Sequence, residues 1–127
     1  MIKNLPQGMK ISISRSIATS FETYMEKIEW NEKKFDLNEF VEMWRDYITH
    51  NASWYKQLSD EQKNDPKLHE DLANKINEIT EKILSEEPKE DQVREIESLQ
   101  KELNTNYEYT CKAEARYVLN ILKSKVN

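Results

Sequence analysis

The sequence predicts an all-α protein. Glycine occurs once and proline three times in 127 residues, while 34% of the residues are charged. A β-sandwich or a doubly wound sheet would need many more turn residues, and the apolar residues recur at helical rather than strand spacing. We therefore expect a bundle of four to five helices, mostly antiparallel, that forms a single helical domain over residues 1–127.

The N-terminal region begins without a helical pattern. Residues 1–11 contain a proline and the only glycine, so we expect an irregular, flexible arm. An apolar stripe at helical spacing then leads from Ile13 to about Trp30 and predicts the first helix over 13–30. Isoleucine and serine also alternate between residues 10 and 16, which leaves open a short strand that would need a partner chain to pair with.

The second predicted helix, over residues 36–58, has the clearest start in the sequence and holds a large share of the aromatic residues. Asp36 lies at the N-cap position, and Glu39 follows three residues later to complete a capping box. Phe35 and Phe40 occupy the two positions of a hydrophobic staple. A helix with so many aromatic side chains must be covered by others, so we expect it to be the central helix.

Asn51 interrupts the apolar stripe of this second helix. In one interpretation its amide is buried and bonds to another inward polar group, which would fix the register of the bundle. In the other, the helix ends at His50 and Asn51, so that Asn51 is exposed and Trp54 begins a separate segment. We favour burial, because residues 52–58 keep helical spacing.

The third helix is predicted over residues 66–86. Ser59 begins a capping-box pattern that indicates one turn of helix in the preceding loop. Asp65 and Pro66 then form an N-cap and first-turn pair. The helix ends before Pro88, because the residue that precedes a proline is displaced from the α region.

Two more helices are predicted, over residues 89–103 and 106–125. Without a break they would form one rod of about 37 residues and about 55 Å, too long for a domain of this size to cover. Asn104 can adopt the left-handed conformation that ends a helix. Thr105 with Glu108 offers a capping box for the next helix.

Composition also limits the class of function. The net charge of −5 opposes non-specific binding to nucleic acid, and no apolar run approaches the length of a membrane span. Cys111 is the single cysteine, so an internal disulfide is excluded. These features are typical of an acidic cytoplasmic protein, which we expect not to bind membranes.

The residue patterns predict no catalytic residue and no cofactor. His50 and His69 lack the spacing of di-iron or zinc-binding helical motifs. Glu39, Glu42 and Asp46 could share one helix face and are weak candidates for metal ligands. They support an alternative function, a small metal-dependent hydrolase that acts on a nucleotide or another phosphate.

A second alternative is nucleic-acid binding through the last helix. Its basic residues would supply the phosphate contacts, although the charge of the whole chain opposes them. These residues are Lys112, Arg116, Lys123 and Lys125.

The leading hypothesis is a non-catalytic protein-interaction or regulatory helical module. Catalytic spacings are missing, whereas tryptophan and tyrosine, the residues that most often anchor protein interfaces, are plentiful. The partner would be another protein or a second copy of the chain in a homodimer. The candidate interaction residues are Ile11, Ile13, Trp30, Trp54, Tyr55 and Tyr109.

Overall fold

A computed structural model describes residues 2–126. Within that range the chain forms seven α-helices, two short 3-10 turns and no strand, so the all-α prediction is confirmed. The chain divides into two compact units, Met1–Thr80 and Glu81–Asn127, and the boundary lies within the fifth helix. The helices are α1 Gln7–Lys27, α2 Leu37–Asn51, α3 Ser53–Gln57, α4 Asp60–Lys63, α5 Pro66–Ser85, α6 Glu90–Leu103 and α7 Lys112–Val126.

Helix α1 begins earlier than the sequence pattern predicts. A 3-10 turn at Ile2–Asn4 precedes it, and the helix starts directly after Pro6. The predicted irregular arm over residues 1–11 is therefore wrong from residue 7 onward, as is the strand alternative, and residue 1 lies outside the described residues. Gly8 is tolerated here because it lies in the first helical turn, where the intrahelical hydrogen bonds are only beginning.

Helix α1 also ends before the predicted residue 30. Two successive residues that are not glycine, Glu29 and Trp30, adopt left-handed conformations with φ of 56° and 54°. The Trp30 N–H donates to the Met25 carbonyl at 2.7 Å, and its ring packs edge-on against Phe21 at 6.4 Å between centroids. Burial of this indole offsets the strain of the left-handed backbone.

The start of α2 is held by its own cap and by α1. The Asp36 carboxylate accepts the backbone N–H groups of Asn38 and Glu39, as the sequence predicts. The second half of the expected capping box is replaced, because the Asp36 N–H donates to the hydroxyl oxygen of Tyr24 at 3.0 Å. That hydroxyl in turn donates to Glu39 at 3.4 Å, so one buried tyrosine joins the two helices.

The second predicted helix, 36–58, is broken at Ala52. The Ala52 backbone is extended, with φ −96° and ψ 115°, and separates α2 from the short α3. The favoured interpretation of Asn51 is therefore wrong: its side chain is exposed at the end of α2 and donates to the Tyr47 carbonyl at 3.2 Å. The break lets both Ala52 and Trp54 be buried.

The loop before α5 matches its sequence pattern closely. Ser59 and Gln62 form a reciprocal capping box at the start of α4. The Asp65 carboxylate then accepts the Lys67 N–H at 2.8 Å, which caps α5 directly before Pro66. These local caps confirm the predicted helical turn and the predicted start at Pro66.

In the second unit, α6 ends where the sequence predicts. Asn104 adopts φ 56° and ψ 48° and forms the left-handed cap. The last helix, however, begins at Lys112 rather than at the predicted residue 106. The Gln100 side chain holds the intervening loop, since its amide oxygen accepts the Tyr107 N–H at 2.7 Å and its amide nitrogen donates to the Tyr107 carbonyl at 3.0 Å.

Helices α6 and α7 pack against each other along an apolar seam. Aromatic and leucine side chains at the loop end are partly buried against that seam. The fully buried members of the seam are Ile96, Ala115, Val118, Leu119 and Leu122.

Candidate protein-binding groove

An apolar groove of about 470 Å³ lies in the first unit, between α2 and the N-terminal part of α5. The segment containing α3 and α4 supplies the remainder of its lining. Its floor consists of large apolar side chains that are at least nine-tenths buried. They are Trp44, Ile48, Leu58, Leu68, Leu72 and Ile76.

The sequence explains why these side chains converge. Leu68, Leu72 and Ile76 are spaced four residues apart and lie on one face of α5, as Trp44 and Ile48 do on α2. The capped turn at α4 lies in the segment that joins the two helices, and these helices form the walls of the groove. A groove results because the two apolar faces line a common space that their side chains do not fill.

The floor of the groove is firmly positioned from below. The Trp44 indole N–H donates to the Ser16 hydroxyl oxygen at 3.3 Å, and that hydroxyl donates to the Ile13 carbonyl at 2.7 Å. Trp44 also stacks on Trp54, with ring centroids 6.4 Å apart and ring planes 29° apart. These contacts restrict the rotamer of Trp44, so the floor is preorganised.

The groove is lined by the basic side chains of Arg45, Lys63 and His69 and by no carboxylate, although acidic residues outnumber basic ones by 24 to 19 in the chain. Arg45 is exposed and makes no ion pair with any described residue. The Lys63 ammonium lies 4.6 Å from the centre of the Tyr55 ring. His69 contacts the Lys63 carbonyl through Nε2 at 2.6 Å, so that nitrogen carries the hydrogen.

The predicted interaction residues are mostly elsewhere. Ile13, Trp30 and Trp54 are 0%, 9% and 2% exposed, so they belong to the core and cannot anchor a partner from the surface. The aromatic cluster around α1 and α2 is large enough to enclose both tryptophans. Ile11 is 44% exposed on α1, outside the groove.

The other two predicted residues, Tyr55 and Tyr109, are half-buried. Tyr55 lines the groove, whereas Tyr109 packs against the α6–α7 seam in the second unit. Sequence reasoning missed Arg45 and Lys63. The available signal was the apolar stripe of α5, but periodicity shows which face of a helix is apolar and not what covers that face.

The candidate metal ligands do not form a cluster with other ligands. In the range 2–126, no group of three or more His, Cys, Asp or Glu side chains is placed to hold an ion. Glu39, Glu42 and Asp46 are all exposed. Glu39 accepts the Tyr24 hydroxyl, and Asp46 lies 3.3 Å from the His50 ring nitrogen.

The basic residues of α7 are largely matched within the second unit. Lys112 pairs with Glu86 and Lys123 pairs with Glu95, each at 3.2 Å. The Lys125 ammonium lies 5.4 Å from the centre of the Tyr107 ring. The two ion pairs of Lys112 and Lys123 offset part of the positive charge of this helix.

Neither the single cysteine nor the hydropathy of the helices indicates a further site. Cys111, the single cysteine, is buried and forms no internal disulfide, and none of the described helices combines the length and the hydropathy of a membrane span. No family model, curated protein or solved structure matches this chain.

Proposed function

We propose that this protein is a non-catalytic interaction module that binds a segment of a partner protein in the groove between α2 and α5. The observation that carries the proposal is the groove itself, with a fixed apolar floor and an exposed polar rim. This combination is typical of sites that take the apolar face of an amphipathic helix.

The chemistry of the lining supports binding rather than catalysis. The groove is lined by no carboxylate and no cysteine. Its one hydroxyl besides Tyr55, that of Thr49, donates to the Arg45 carbonyl of its own helix at 2.7 Å. The Thr49 hydroxyl thus donates its proton to a backbone carbonyl and not to a base that could activate it as a nucleophile.

Helix packing, cellular compartment and self-association are part of the proposed function. We propose that helices joined by short connections, such as α6 and α7, pack mostly antiparallel within each unit, as in helical bundles. A chain whose single cysteine is a buried thiol suits the reducing cytoplasm. A homodimer, in which a second copy supplies the bound segment, is a special case of the same function.

Ala73 provides a test that avoids the core. It lines the groove but is exposed on α5, so Ala73→Trp should occupy the groove without disturbing the floor. Asn74 is exposed on the same helix, about 100° around it from Ala73, and does not line the groove, so Asn74→Trp is the matched control. The full-length protein would be used to select binders from a displayed library of amphipathic helical peptides.

We expect the selected peptides to bind the unmodified protein and the Asn74→Trp variant with equal affinity in calorimetry, and to lose affinity at least about tenfold on Ala73→Trp. Circular dichroism would verify that both variants are folded. If no peptide is selected, or if every selected peptide binds the two variants equally well, the proposed function is wrong.

A further inference from the structure

We infer that the groove recognises an acidic amphipathic helix, in which carboxylates flank the apolar side chains that enter the floor. This inference rests on the proposed function and adds the charge of the partner to it. The supporting observation is the charge on the rim, which is opposite in sign to the charge of the chain as a whole.

Two side chains carry the recognition. Arg45 projects from the middle of α2, is exposed and has no ion-pair partner among the described residues. A free guanidinium beside an apolar floor suits a carboxylate, which it can bind through two parallel hydrogen bonds. Arg45 follows Trp44 directly in the sequence. A partner carboxylate bound to Arg45 would therefore lie next to the apolar side chain of the partner that contacts the Trp44 indole.

Lys63 supplies the second positive charge, from the α4 end of the groove. Its ammonium is held 4.6 Å from the centre of the Tyr55 ring, which limits its rotamers before a partner arrives. Tyr55 and Lys63 both line the groove. A partner helix with carboxylates on either side of its apolar stripe could contact Arg45 on one wall and Lys63 at this end.

The net charge of −5 does not prevent this binding. At physiological ionic strength, charges more than about 8 Å away are largely screened. Asp46 next to Arg45, and Asp60, Glu61 and Asp65 near Lys63, are close in sequence but do not line the groove, whereas Arg45 and Lys63 do. The distant acidic residues slow the approach of an acidic partner more than they weaken the final complex.

The test uses two peptides that differ only in charge. Both carry leucines spaced three and four residues apart; in one, glutamates flank the leucines, and in its twin, lysines replace those glutamates. We expect the acidic peptide to bind the full-length protein on the order of tenfold more tightly, because two partly exposed ion pairs each contribute a few-fold. Calorimetry and the intrinsic tryptophan fluorescence, to which Trp44 in the floor contributes, would report the binding.

Replacing both Arg45→Glu and Lys63→Glu should reverse the preference, so that the lysine peptide binds more tightly. Circular dichroism would verify that this double variant is folded, and loss of the gain when Ala73→Trp is added would place the gain in the groove. Ala73→Trp should abolish binding of either peptide, which separates this inference from the proposed function. If both peptides bind the unmodified protein equally well and Ala73→Trp blocks the binding of both, the groove functions as proposed and the inference about charge is wrong.

Two other occupants would also overturn the inference. If decanoate binds at the groove while neither peptide does, the site belongs to a small amphiphile. If the protein forms dimers in light scattering that Ala73→Trp dissociates, the site belongs to a second copy of the chain.

Discussion

Tyr24 joins α1 to the start of α2 through two hydrogen bonds. Its buried hydroxyl accepts the Asp36 N–H and donates to Glu39. We expect Tyr24→Phe to lower the free energy of unfolding by about 1–2 kcal/mol, because a partly buried N–H loses its acceptor. Urea denaturation followed by tryptophan fluorescence would measure the change.

Tyr47→Phe is the matched control for this substitution. Tyr47 is half-buried on α2, and its hydroxyl makes no hydrogen bond with the described residues. Its removal should change the free energy of unfolding by less than about 0.5 kcal/mol. Equal effects of the two substitutions would contradict the role assigned to the Tyr24 hydroxyl.

Tyr109 should make the stability depend on alkaline pH. Burial, and secondarily the negative charge of Glu97, raises the pKa of Tyr109 above its usual value of 10.0. The unfolded chain therefore ionises first, so the contribution of Tyr109 is complete below about pH 10 and is lost as the pH rises through its folded-state pKa.

The Tyr109→Phe variant tests this dependence. Its urea midpoint should decline less than that of the unmodified protein as the pH rises above about 10. The ultraviolet absorbance of tyrosinate, compared between the two proteins, would identify the step that belongs to Tyr109. Identical alkaline decline in both proteins would exclude a raised pKa at this position.

At the scale of the helices, Asn104 allows a direct test of how α6 ends. Its φ of 56° is a left-handed conformation that an alanine side chain disfavours. Asn104→Ala should destabilise the protein by about 1 kcal/mol, whereas Asn104→Gly should be neutral or slightly stabilising. Denaturant unfolding would measure both changes in the free energy of unfolding, provided that its slope with denaturant concentration is unchanged. Equal destabilisation by the two substitutions would contradict the assignment of Asn104 as the left-handed cap.

Helix ends were predictable where residues close in sequence fix them, as a capping side chain, a first-turn proline or a left-handed cap does. Asp36, Ser59, Pro66 and Asn104 all act at their expected positions because capping involves residues only a few positions apart. The start of α7 was not predictable in this way. Gln100 fixes the preceding loop from seven residues away, and no local pattern shows that contact.

The break at Ala52 has a similar origin. Residues 52–58 keep helical spacing, but the burial of Ala52 and Trp54 favours an extended residue between α2 and α3. Tertiary packing therefore outweighs a local preference of a few tenths of a kcal/mol per residue.

At the scale of the whole molecule, the sequence indicated the apolar faces but not the groove between them. The stripes of α2 and α5 were both predictable from their spacing. Whether such faces meet fully or leave a space depends on the turns that join them, here α3 and α4. The positions of Arg45, which is exposed, and Lys63, which is half-buried, at the groove follow from the same arrangement and could not be read from periodicity.

The metal-dependent alternative makes a prediction for the whole protein. A cation that binds only the folded state stabilises it and so raises the melting temperature. The stabilisation is about 2.7 kcal/mol when the free cation is present at one hundred times its dissociation constant. Glu39, Glu42 and Asp46 are exposed, and Glu39 and Asp46 already contact Tyr24 and His50. Separate, hydrated carboxylates of this kind do not supply the converging oxygen ligands that Mg²⁺ or Mn²⁺ requires.

We therefore expect millimolar Mg²⁺ or Mn²⁺ to shift the melting temperature by no more than an equal ionic strength of NaCl does. Differential scanning calorimetry of the unmodified protein and of Glu42→Gln would measure this, with EDTA-treated samples as the reference. A rise in melting temperature that grows with metal concentration and disappears in Glu42→Gln would contradict the expectation. Such a result would restore these carboxylates as a metal site, because only specific binding to the folded state produces that dependence.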